Sequence, residues 1–246
     1  MNQATLQPLL TPRPVRFYAS TASTMSDAEQ WLMANPYVAH GAVVVADEQR
    51  QGRGRLQRGW LTPPKTALAM SIILRHGQHP TLCGALAVLQ AIESLTALTG
   101  QLKFPNDVLI DGKKVAGILA TQSSTHPDVT ILGMGVNVAV DFSDSDLADK
   151  ATSINHHLEA PIDRQALLHK ILQGVDRWCQ AADVMPQWKA RLNTLGQFVT
   201  VYSHDRQVQG WADDVNADGA LVVRLVDGTV ETFLAGDVSL SAPPKS

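Results

Sequence analysis

The feature that most restricts how this 246-residue chain can fold is a change of hydrophobic period near residue 194. Before it, continuous apolar runs alternate with helical patterns; after it, apolar and polar residues alternate with period two. Gly41 to Ala46 and Ala67 to Leu74 read as strands covered on both faces, after a short strand at Val15 to Ala19. Two overlapping capping patterns, Thr24 to Asp27 and Ser26 to Glu29, introduce a helix that Pro36 closes. Leu82 to Leu98 is apolar almost all round a helical wheel and stops at Gly100. Val108 to Ala120 is split by Asp111-Gly112, a hairpin signal, and a strand or hairpin pair follows at Val129 to Val140. Asp163 caps an amphipathic helix with Leu168, Ile171, Leu172, Val175, Trp178 and Cys179 on one side, and Pro186 opens a shorter helix.

Beyond residue 194 the strands read Phe198 to Tyr202, Val208 to Val215, Ala220 to Val226 and Thr229 to Leu234, with turns at His204-Asp205, Ala217 to Gly219 and Asp227-Gly228. The expected fold class is therefore α+β: a mixed central sheet flanked by helices, followed by a small antiparallel β-barrel. The divisions are 1–14, 15–193 and 194–246. Residues 1–14, broken by Pro8, Pro12 and Pro14, read as an aperiodic arm too short for a helix-turn-helix, so no DNA binding is expected. A net charge of -3 points the same way. Cys83 and Cys179 form no CxxC pair, and no run of 18 apolar residues occurs, so the expected setting is a reducing cytoplasm without a membrane span.

Four segments carry the chemistry. Asp47 to Trp60 puts four arginines and three glycines directly after a buried strand, where guanidinium forks and close backbone approach suit a wrapped anion. Lys103-Phe104-Pro105-Asn106-Asp107 presents Lys103 from a strand beside a bend, with Lys113 and Lys114 close behind. The hydroxyl run Ser20-Thr21-Ala22-Ser23-Thr24 sits at a helix start, as capping residues do and as ligand-binding ones also can. Gly133 to Val138 ends a strand with Asn137. His76 with His79, and His156 with His157, lack companions at ligand spacing; they read as surface histidines, and no metal site built from protein side chains is expected. Walker A and GxSxG patterns are absent.

Together these segments resemble the biotin protein ligase family. Gly52, Arg53, Gly54, Arg55, Arg58 and Trp60 match its GRGRxGRxW loop, and Lys103 to Asp107 matches its KWPND block. Gly112 to Leu119 matches GK(K/R)xAGIL, Gly133 to Asn137 matches GxGxN, Ala151 to Ile154 matches ATS(I/L), and Ser20 to Ala22 stands for STN. The resemblance implies a class II synthetase-like catalytic domain with an SH3-like C-terminal barrel. It implies ATP and biotin as substrates with Mg2+, a biotinyl-5'-AMP intermediate, and a biotin carboxyl carrier protein as acceptor; a homodimer is left open. It assigns Ser20, Thr21, Ala22, Gln49, Arg53, Gly54, Arg55 and Lys103 to biotin, with Lys103, Arg53 and Arg55 catalytic, and Arg58, Trp60, Asn106 and Asn137 to ATP. Gln57, Phe104 and Ala22 depart from the family's glycine, tryptophan and asparagine. Lipoate or octanoate ligation is the alternative within this fold, although its RRxSGGGxVxHD stretch is missing. An Arg-Gly nucleic-acid module is the alternative from another class.

Overall fold

The computed structural model describes residues 1–203, 206–234 and 236–243. Strands β1 (Val15–Tyr18), β2 (Val43–Ala46), β3 (Ala67–Leu74), β4 (Gln101–Lys103), β5 (Asp107–Ile110), β6 (Lys113–Gln122) and β7 (Thr130–Asn137) form one sheet in the order β1-β2-β3-β7-β6-β5-β4. Only β1 and β2 run parallel; every other neighbouring pair is antiparallel. All eight residues of β3 are buried, as its unbroken apolar run requires for a strand covered on both sides. Helices α3 (Pro80–Leu95) and α4 (Arg164–Gln180) pack into the main core with Leu68, Met70 and Ile72. Helix α2 (Thr24–Ala34) instead buries Ala28, Trp31 and Leu32 in a second cluster with Val44, Ile73 and Ile131. The two faces of β3 thus serve different helices, which is the physical use of its period of two.

The β5–β6 turn has Asp111 at φ 48° and Gly112 at φ 75°, both left-handed, as the Asp-Gly pair predicts. Val129 to Val140 resolves as the single strand β7. Helix α5 (Met185–Lys189) has Pro186 in its first turn and buries Trp188. Beyond it, β8 (Phe198–Ser203), β9 (Arg206–Val215), β10 (Leu221–Leu225), β11 (Val230–Phe233) and β12 (Asp237–Leu240) form a five-stranded antiparallel sheet in the order β11-β10-β9-β8-β12. Strand β12 extends the four strands read from sequence, and the turn expected at His204-Asp205 lies outside the described residues. Among the described residues no helix is long and apolar enough to cross a membrane.

The N-terminal residues correct the expected aperiodic arm. Gln3–Leu10 is helix α1, started by a reciprocal cap between Asn2 and Thr5. Pro8 lies inside it and costs about 3 kcal/mol as an interior helix breaker. Leu6 and Leu10 are buried in the main core, and each fully buried leucine returns roughly 1.5–3 kcal/mol, enough to hold the helix. The Gln3 amide also lines the free edge of β1, donating to Val15 O at 2.9 Å and accepting from the Phe17 N–H at 2.8 Å.

Candidate active site

A cavity of about 510 Å³ opens between the 47–62 loop, the start of α2 and strands β4 to β7. Its apolar lining comes from Met25, Met70, Leu109, Ile118, Leu119 and Met134, interrupted by Gly117, Gly133 and Gly135. The indole of Trp60 lies against two of these glycines: a Cβ at Gly117 would stand 3.0 Å from the ring, and one at Gly135 only 2.3 Å. Glycine is the residue that lets the ring approach the strands so closely.

The loop is a tight hairpin. Trp60 N–H donates to Gly52 O at 2.9 Å and Gly54 N–H to Arg58 O at 2.7 Å. Its left-handed residue is Leu56, φ 52°, beside the Gln57 that replaces the family glycine. Arg53 donates to Ser26 Oγ at 2.6 Å. Arg55 donates to Asn106 Oδ1 at 3.3 Å and to Gly236 O at 3.2 Å, and Arg58 pairs with Asp237. Arg58 therefore touches the first residue of β12, and Arg55 the residue just before it. Burial lowers the Arg55 pKa, as does Arg58, while Asp237 and Asp107 oppose the shift; a guanidinium still stays charged under these forces.

Lys103 ends β4 and lines the cavity, with no ion-pair partner among the described residues. The neighbouring carboxylate, Asp107, is taken by Lys114 at 2.6 Å, and the Lys114 ammonium lies 5.4 Å over the Trp60 ring. Phe104, which stands at the family's tryptophan position, points into the core: it is 2% exposed and meets Trp188 edge-on at 6.4 Å. Its task is packing. Gln49 is fixed at both ends, its Oε1 accepting from Thr24 N–H and Oγ1 and its Nε2 donating to Thr62 Oγ1. Asn137 donates to Thr152 O at 3.1 Å and to Lys114 O at 3.4 Å, so what it has left for a ligand is its Oδ1 acceptor.

Of the residues expected at the site, Gln49, Arg53, Gly54, Arg55, Arg58, Trp60, Lys103, Asn106 and Asn137 share this one cavity wall. Ser20, Thr21 and Ala22 are not on it. They stand behind it, where Thr21 N–H donates to Glu48 O, Arg50 N–H to Thr21 O and Gln51 N–H to Ala22 O, and the Thr21 hydroxyl donates to Asp27 at 2.6 Å. The wall is formed instead by Ser23, Thr24 and Met25, three positions on. The correction has a simple cause: Ser20-Thr21-Ala22 is followed at once by Ser23-Thr24-Met25, and the two triplets look alike until the chain is folded. The Ser23 hydroxyl is buried with no partner among the described residues, although Ser23 stands at the N-cap of α2. An orphaned buried donor on a cavity wall suits a polar ligand group. Lys114, Lys150 and Asp149 also line the wall and were not singled out from sequence as ligand-binding residues.

A sheet whose glycines accept an indole, roofed by an arginine loop and flanked by a strand lysine, makes one cationic and partly apolar site. Residues 17–138 match the biotin/lipoate A/B protein ligase family, and residues 194–241 match the biotin protein ligase C terminal domain. The bifunctional ligase/repressor BirA of Bacillus subtilis is 38% identical over 89% of this chain and 71% of its own length. The biotin--[acetyl-CoA-carboxylase] ligase of Mycobacterium tuberculosis is 32% identical over 92% and 88%. The biotin protein ligase from Aquifex aeolicus, solved in complex with biotin and ATP, superposes with a TM-score of 0.79 at 26% identity, covering 94% of this chain and 99% of that one. The chain belongs to the biotin protein ligase family.

Proposed function

We infer that this protein is an ATP-dependent biotin protein ligase. It converts biotin and ATP to biotinyl-5'-AMP and pyrophosphate, then passes the biotinyl group to a lysine of a biotin carboxyl carrier protein, the acceptor of acetyl-CoA carboxylase. The observation that carries this reading is the meeting of Lys103 with Arg53, Arg55 and Arg58 on one partly apolar cavity. The first step forms a bond from a biotin carboxylate oxygen to the α-phosphorus and breaks the bond to the pyrophosphate oxygen. Two anions must approach, and negative charge builds on the phosphoryl oxygens as they do. Preorganised cations in a water-poor site are what such a reaction needs. Lys103, on a rigid strand and without an ion-pair partner among the described residues, offsets charge between the two reacting groups. Arg53 and Arg55 hold the biotin side, and Arg58, Trp60, Asn106 and Asn137 the nucleotide side. The methionine- and leucine-lined part of the cavity takes the ring and aliphatic arm of biotin, and Ser23 offers its hydroxyl to the polar end. In the second step the carrier lysine amine attacks the anhydride carbonyl, AMP leaves with the bonding pair, and the amine loses a proton.

Mg2+ fits the site as an ion carried chiefly by the ATP phosphates, because the wall offers oxygen donors such as Asp107 and Asp149 but no cluster of three ligating side chains among the described residues. When bound it neutralises phosphate charge. The cytoplasm is the setting we assign, with the carrier domain as partner and no nucleic acid.

The test is pyrophosphate release with biotin and, separately, with lipoate, followed by label transfer to a purified carrier domain. Biotin-dependent release with transfer is expected. Lys103→Ala should slow formation of the adenylate by on the order of a hundredfold, the usual loss when one preorganised stabiliser is removed. A response to lipoate alone overturns the reading.

A further inference from the structure

His157, whose sequence context suggests a surface histidine, has two specific partners in the fold. Its Nδ1 lies 3.1 Å from Asp111 Oδ2, and its Nε2 lies 2.9 Å from Thr152 Oγ1. The imidazole is 20% exposed and Thr152 only 5%, so the inner contact sits largely out of water. The His157–Thr152 contact is a hydrogen bond in which either partner can donate, as the imidazole tautomer decides, and Asp111, 77% exposed, stands on the solvent side of the ring. Asp111 belongs to the β5–β6 turn. Thr152 belongs to an extended segment that runs beside β6: Lys114 N–H donates to Lys150 O, and Thr152 N–H donates to Lys114 O, each at 2.9 Å. The carbonyl of the same Thr152 accepts from Asn137 Nδ2 at 3.1 Å. Asn137, Lys114 and Ala151 all line the cavity. A chain of hydrogen bonds therefore runs from His157 through Thr152 to the side-chain amide of Asn137, with Asp111 of the surface turn at ion-pair distance from its outer end.

We propose that His157 is a positioning residue for the nucleotide end of the cavity, where it and Asp111 hold the Lys150–Thr152 segment against β6 and thereby fix the orientation of the Asn137 amide. This rests on the ligase reading, which places Asn137 at the nucleotide. The terminal torsion of an asparagine is broad and roughly two-fold, so only its partners decide which face carries the oxygen. Held by the Thr152 and Lys114 carbonyls, Asn137 keeps Oδ1 for the ligand, and an acceptor favours a base with an exocyclic amine. Released, the amide can turn and offer a donor, which favours an oxo base. Loss of His157 therefore weakens ATP and narrows the preference for ATP over ITP, which carries a 6-oxo group and an N1–H where ATP has a 6-amine and an N1 acceptor.

The experiment compares wild type, His157→Ala, Thr152→Val, the double variant and His157→Gln by steady-state adenylation with ATP, ITP and biotin varied in turn, alongside thermal melts. His157→Ala should raise the KM for ATP about fivefold and lower the ATP/ITP ratio of kcat/KM by a similar factor, the scale of one hydrogen bond. The KM for biotin should stay within about twofold, because the hydrogen bonds that His157 makes lie on the nucleotide side of the site. Thr152→Val should do the same, the double variant no more than either single one, and His157→Gln should recover part of the loss. Unchanged ATP parameters and base preference in both single variants would overturn the proposal, as would additive single effects or equal losses for ATP and biotin with a lowered Tm. A wild type that releases no pyrophosphate with biotin would instead sink the ligase reading, and this inference with it.

Discussion

At Gly135 a single missing methyl group decides whether the arginine loop can settle on the sheet. The Trp60 Cε2 and Nε1 atoms occupy the space a side chain would need, 2.3 Å from where its Cβ would stand. The indole is rigid, so the ring, and the loop that carries it, would have to move. Gly135 lies within β7 and its φ is not among the left-handed ones, so alanine does not strain the strand itself. Gly135→Ala should therefore fold with a far-UV spectrum and Tm close to wild type while the KM for ATP rises about tenfold, matching the 1–3 kcal/mol typical of an overpacked contact. Steady-state kinetics beside circular dichroism would check it; an unchanged KM would mean that the seat of the indole does not matter to the nucleotide. Residues differ in how openly their sequence announces such roles. Asp111-Gly112 is legible because two consecutive left-handed residues leave few other choices. His157 is not: its partners lie 46 and five positions away, and nothing local marks them. The Ser20 and Ser23 triplets show a third case, where the residue types are legible and their register is not.

Elements meet through hydrogen bonds of the same kind. Glu29 on α2 binds the β6–β7 connection through one carboxylate oxygen, which accepts from Ser123 Oγ at 2.9 Å, Ser124 Oγ at 2.8 Å, and Thr125 Oγ1 and N–H at 3.0 and 3.3 Å. Partial burial raises its pKa, but the donors of Ser124, Ser123 and Thr125 together outweigh this and hold it below the usual glutamate value. A carboxylate whose pKa falls on folding adds stability above its unfolded pKa, about 4.3, and that contribution is lost as pH drops through the lower, folded value. Glu29→Gln should thus lower Tm at pH 7, and the gap to wild type should close as melts are repeated towards pH 3. A gap that does not depend on pH would assign the effect to shape rather than charge. The long elements were readable from sequence because their periodicity is set by burial, as in β3 and α4. Helix α1 was not, because Pro8 masks a segment whose stability comes from Leu6 and Leu10 docking into the main core. Strand β12 was not, because four residues paired only with β8 carry too short a pattern.

On the scale of the whole molecule, the C-terminal sheet reaches the site through Asp237, the first residue of β12, and Gly236 just before it. Gly236 O accepts from Arg55, and Asp237 pairs with Arg58. The sequence placed the two domains in order but could not show this joint, since it links positions separated by about 180 residues. If the loop retains the adenylate until the carrier arrives, the joint sets part of its opening free energy. The two links are not equal. Arg58 is 69% exposed, and an exposed ion pair contributes only about 0.2–1 kcal/mol and weakens with salt. Asp237→Ala should therefore leave Tm almost unchanged yet speed escape of biotinyl-5'-AMP about two- to threefold at low salt, with the difference fading at high salt. Arg55 is more enclosed and also donates to Asn106, so Arg55→Ala should leak faster and lose less of its effect to salt. Filter-retention of the preformed adenylate over a salt series measures both, and equal leakage from both variants at every ionic strength would show that the sheet does not latch the loop.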